Sequence, residues 1–75
     1  MAQIEINGKS FKTKLLTWRE AMQIKRMNDE EAMAEEMVRV GLGGALSIQE
    51  IQDLPLETMT RLIDEISIEN GVTGD

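Results

Sequence analysis

A chain of 75 residues with a net charge of −6 makes one small domain, because two separate cores would each fall below the size at which chains fold unaided. The lack of cysteine and histidine excludes disulfides, thiolate chemistry, imidazole bases and the usual zinc sites. Carboxylates, eight Lys and Arg and a few hydroxyls remain, a poor vocabulary for catalysis, so binding is expected and no catalytic, cofactor or metal site is assigned.

The net charge hides a division along the chain. Residues 1–27 hold six basic and two acidic residues, net +4, whereas residues 28–75 hold two basic and twelve acidic ones, net −10. The basic third could meet an anionic surface, and the acidic remainder would repel one. The uncharged run between Arg39 and Glu50 is broken by glycines and far too short to span a bilayer, and no secretion signal is visible, so a cytoplasmic location without membrane contact is expected.

In chain order, Gln3 to Thr13 alternates apolar and polar residues on both sides of Asn7-Gly8, the strongest short-range signal for a two-residue β-hairpin. Ile4, Ile6 and Phe11 then mark its buried face and Glu5, Lys9 and Lys12 its wet face, with the partner of Phe11 left to the register. Thr17-Trp18-Arg19-Glu20 fits a capping box, predicting a helix over residues 18–27 with Trp18, Ala21, Met22 and Ile24 inward and Met27 at the edge. Phe11 and Trp18 are both assigned to the core. Asn28-Asp29 offers caps for a second helix over 30–40, with Glu30 and Glu31 suiting its positive end. Met33, Met37 and Val40 form one stripe of this helix, and Gly41 is placed at its left-handed terminus.

Ser47-Ile48-Gln49-Glu50 repeats the capping box and opens a short helix over 48–53, and Pro55 serves as first residue of a helix over 55–69. Leu56, Met59, Leu62, Ile63 and Ile66 supply the apolar face of that helix, and residues 72–75 read as a flexible tail. The fold class is α+β: an N-terminal hairpin packed on a bundle of three to four helices in a single domain.

Three apparent motifs dissolve on inspection. Gly8-Lys9-Ser10 resembles the end of a phosphate loop, but Gln3 stands where the first glycine is required. Gly41-Leu42-Gly43-Gly44 follows a helix instead of a strand, so it reads as a connection or hinge. Asp29, Glu30, Glu31, Glu35 and Glu36 lack the alternating spacing of a calcium loop. The basic residues from Lys9 to Arg26 could line a phosphate backbone, yet aromatic interleaving is nearly absent, which makes nucleic acid the weaker partner.

The six methionines against two aromatics are the informative oddity, because methionine adapts to irregular apolar partners. Met27, Met33, Met37 and Val40 are the candidate apolar contact, and Glu30, Glu35 and Glu36 the rim that steers a basic helical partner. The runs Leu16-Thr17-Trp18-Arg19-Glu20-Ala21 and Leu46-Ser47-Ile48-Gln49-Glu50-Ile51-Gln52-Asp53-Leu54-Pro55-Leu56-Glu57-Thr58-Met59, behind a Gly-Lys hairpin turn, resemble the small tail assembly chaperones of tailed bacteriophages of the Mu and P2 kind. The resemblance spans most of the chain. It implies a noncatalytic protein of the bacterial host cytoplasm that shields the hydrophobic helical tape-measure protein during tail morphogenesis. The alternatives are a nucleic-acid-binding or regulatory module using the basic face, and a self-associating tail structural subunit adding strands at the hairpin edge.

Overall fold

A computed structural model describes residues 3–71; the tail expected over 72–75 lies outside them. Two strands, β1 (Gln3–Ile6) and β2 (Lys9–Lys12), are followed by four helices, α1 (Trp18–Lys25), α2 (Glu30–Gly41), α3 (Ile48–Gln52) and α4 (Leu56–Glu69). This is the expected α+β architecture. No helix among the described residues is long and apolar enough to cross a membrane.

Asn7 and Gly8 adopt φ of 51° and 81°, the pair of left-handed conformations a type I′ turn needs, and the strands pair antiparallel with Ile4 opposite Phe11 and Ile6 opposite Lys9. Directly paired residues point the same way, so Lys9 stands on the same face of the hairpin as Ile6, where it stays exposed as expected of it. It lines an open groove together with Glu50 and Asp53 and the half-buried Phe11, Leu46 and Leu54. Ile4 and Ile6 are buried while β2 stays largely exposed, so β1 is the strand that seats the hairpin on the helices.

The core joins Ile4 and Ile6 to Val38 and Leu42, Ile51, and Leu62 and Ile66 from α4, with Phe11, Leu16, Met37, Leu46, Leu54, Met59 and Ile63 packed at its edge. Helix α2 is the hub, touching α1, α3 and α4. Its C-terminus closes as a Schellman motif, in which the Gly44 amide donates to the Arg39 carbonyl at 3.0 Å and the Gly43 amide to Val40 at 2.9 Å. Gly43, at φ 66°, is therefore the left-handed residue. Gly41 instead stays inside the helix, where its missing side chain lets Ile66 approach: a Cβ there would lie 2.6 Å from Ile66 Cδ1.

Three tethers fix the hairpin and the linker after it. The Lys14 amide donates to the Gly41 carbonyl at 2.8 Å, and the buried Thr13 hydroxyl donates to the Glu69 carboxylate. The Leu16 amide donates to Asn70 Oδ1 at 2.8 Å, and Asn70 Nδ2 donates back to the Ile66 carbonyl at 2.8 Å. Both capping boxes form, at Thr17 with Glu20 and at Ser47 with Glu50. Helix boundaries differ slightly from expectation. The Arg26 amide closes α1 onto Met22, leaving Met27 beyond the helix, and Pro55, with ψ of 147°, sits just before α4 as its cap residue.

Candidate partner-binding groove

The methionine stripe of α2 lies at the centre of the face the protein itself covers. Taking Met37 as the origin at 100° per residue, Met33 and Val40 fall about 40° and 60° to one side, and Gly41 and Val38 about 40° and 100° to the other. Val38, Val40 and Gly41 are buried. Val40 therefore cannot serve as the apolar contact expected of it. Met33 is half-buried, as is Met27 beyond the end of α1. Met37 packs at the core edge, its Sδ 3.9 Å from the Ser67 hydroxyl that donates to it.

The expected acidic rim is also engaged in part. Arg39 holds Glu36 in a two-pronged contact, Nε to Oε1 at 2.7 Å and Nη2 to Oε2 at 2.6 Å. The hydrogen bond from Arg39 keeps the Glu36 carboxyl below the ordinary glutamate value and, reciprocally, raises the guanidinium. Gln52 Nε2 donates to Glu35 at 3.1 Å, tying α3 to α2. Glu30 is exposed in the first turn of α2. Across from Glu36 on α1, Glu20 accepts the Thr17 backbone amide and the Lys14 ammonium at 2.9 Å, and these two donors lower its pKa in that order.

The large apolar surface left open lies elsewhere. Trp18 is 78% exposed and Leu15 57% exposed, contrary to the core role expected of the tryptophan. By helical angle Trp18 shares the side of α1 that carries Ala21 and Met22, but it stands in the first turn, where the body beneath gives way to a groove. That groove is lined by Leu16, Trp18 and Ala21, by Met37 of α2, and by Ser67 of α4 with Asn70 just beyond its end. One of the expected contact residues, Met37, thus lies in an open apolar groove.

The sequence signal that would have found Trp18 is its place immediately after the N-cap Thr17. A first-turn residue has half as many neighbours along its own helix, so it is buried only if another element reaches past the helix end. In comparisons with protein-family models, with curated proteins and with solved structures, no match to this chain was found.

Proposed function

We propose that this protein is a noncatalytic tail assembly chaperone, which reversibly covers an apolar helical segment of a tape-measure protein until the tail assembles around it. The observation that carries the reading is the exposed tryptophan at the mouth of an apolar groove, in a chain whose larger part is strongly acidic. An amphipathic helix inserts its apolar anchors into such a groove. Trp18 supplies a large, stiff contact surface at little entropic cost, and Met37 adapts to the shape of the anchor. The excess negative charge keeps the loaded complex soluble and favours partners bearing Lys or Arg beside the apolar stripe. The resemblance in the Leu16–Ala21 and Leu46–Met59 runs supports the same partner class.

Trp18 is the sole tryptophan and therefore its own reporter. Titration with a synthetic tape-measure helix is expected to shift its emission to shorter wavelength and to protect it from acrylamide, whereas Ala21→Glu, which adds charge to the groove wall, abolishes both changes. Co-expression should raise the soluble yield of the tape-measure protein. If emission and quenching stay unchanged at saturating peptide and the soluble yield does not rise, the reading is wrong.

A further inference from the structure

Helix α1 sits on the protein without entering it. It buries none of its eight residues, and among the described elements its one substantial neighbour is α2. Among the described residues, none from 17–36 belongs to the core, which Leu16 and Met37 reach only at its edge. Ala21, Met22 and Ile24 of α1 and Met33 and Met37 of α2 are half-buried. No hydrogen bond or ion pair among the described residues joins α1 to α2. The contact between the two helices is therefore apolar and incomplete.

Their charges are opposite. Three cations against Glu20 leave residues 18–26 at +2, and four carboxylates against Arg39 leave α2 at −3. A short basic amphipathic helix thus lies on an acidic, methionine-bearing one, which is the chemistry argued above for the partner. The Trp18 groove is the open end of this contact, because Ala21 of α1 and Met37 of α2 both line it. Eight residues make too short a helix to persist alone in water, so α1 depends on its seat. Its start is held from outside by the Leu16 amide on Asn70 Oδ1 at 2.8 Å and by the Lys14 ammonium on Glu20 at 2.9 Å. Beyond Glu20 the outside restraint is the half-buried apolar contact.

We propose that α1 is a removable cover, and that the partner-binding site continues from the Trp18 groove along the part of α2 that α1 overlies. The turns from Ala21 to Lys25 unwind and a cationic apolar helix takes their place against Met33 and Met37. Leu16, pinned to Asn70, keeps Trp18 at the groove mouth. A longer partner helix wins the exchange because α1 leaves both methionines half-buried, so bulkier anchors remove more apolar surface from water. The proposal rests on the chaperone reading and adds a regulation to it: apparent affinity rises with the fraction of molecules whose cover is open.

Two measurements test it. In native-state hydrogen exchange of the protein alone, the amides of residues 22–26 are expected to be at least about a hundredfold less protected than those of Leu62 and Ile66, because they open without the core. The second measurement titrates the synthetic tape-measure helix against Trp18 emission. Gln23 is exposed and lies about 160° around α1 from Ala21, so its replacement leaves the groove side intact. Gln23→Gly loosens the helix and should tighten peptide binding by about threefold. Gln23→Ala removes the same side chain, keeps the helix and should not tighten it. Amides of α1 as protected as those of Leu62 and Ile66 would overturn the proposal, since α1 would then open only with the whole chain. Binding unchanged or weakened by Gly, or tightened equally by Ala, makes α1 a wall of the site instead of its cover; the proposal then falls and the chaperone reading stands. A peptide that binds none of the three proteins refutes the chaperone reading itself, and the proposal with it.

Discussion

Gly41→Ala puts the α2–α4 packing to a quantitative test. The added methyl carbon would sit 2.6 Å from Ile66 Cδ1 and 3.0 Å from both Cγ1 and Cγ2. No rotation about χ2 clears all three, because only Cδ1 moves with that angle. Ile66 is fully buried among Val38, Leu62 and their neighbours, so the side chain cannot swing into water, and relief requires the helices to part. Overpacking of this kind costs about 1–3 kcal/mol. Against it stands the better helix propensity of alanine, about 0.5–1 kcal/mol in mid-helix and less at this last helical residue. The expected net loss is about 1–2 kcal/mol, from a total of about 4–11 kcal/mol for a domain of 75 residues. Thermal unfolding followed by circular dichroism should show Tm falling by about 5–15 °C. Ile66→Val removes the nearest carbon and alone costs about 0.5–1.5 kcal/mol. Combined with Gly41→Ala it should cost at least about 0.5 kcal/mol less than the sum of the two. A Gly41→Ala protein as stable as the parent, or strict additivity in the cycle, would refute the close-approach argument.

Asn70 gives a second test: Asn70→Ala strands the half-buried Leu16 amide and should lower stability by about 1–3 kcal/mol in urea, with faster hydrogen exchange at Leu16, while Asn70→Asp, which keeps the acceptor, should recover part of the loss. A third concerns acid. The folded state holds Glu36, Glu20 and Glu50 below 4.5, chiefly through Arg39, the Thr17 backbone amide and the Ser47 backbone amide respectively. The unfolded chain therefore binds more protons, and the stability these groups contribute is present above about pH 4.5 and is lost as pH falls through their folded values. The urea midpoint should drop between about pH 6 and about pH 3, less steeply in Glu36→Gln; a midpoint flat with pH in the parent protein would remove the electrostatic account.

The local features were legible because their chemistry is local. Asn7-Gly8 is one of few pairs that tolerate two positive φ values in succession, so the hairpin followed directly from it. Thr17 with Glu20 and Ser47 with Glu50 satisfy each other's backbone amides across three residues, which needs no distant partner. Leu62, Ile63, Ile66 and Met59 were assigned to one face of α4 from period alone, and all lie in or against the core. Leu56 was grouped with them and is exposed: it stands six residues before Leu62, about 240° around the helix.

What sequence could not supply was the arrangement of one element against another. Charge division, the hairpin and the helix order are properties of residues within a few positions of each other, and the chain alone determines them. Which side of α2 faces solvent depends on three other helices converging on it, and their convergence buried Val40 while leaving Met33 and Met37 half-buried. The register that sets Lys9 beside Ile6 depends on the pairing of two strands. Gly41 looked like a helix terminus because glycine commonly ends helices, whereas its place is set by Ile66, twenty-five residues away. Trp18 is open to solvent because no other element reaches past the start of α1 to cover it. Burial is a relation between distant segments, and only the tertiary structure decides it.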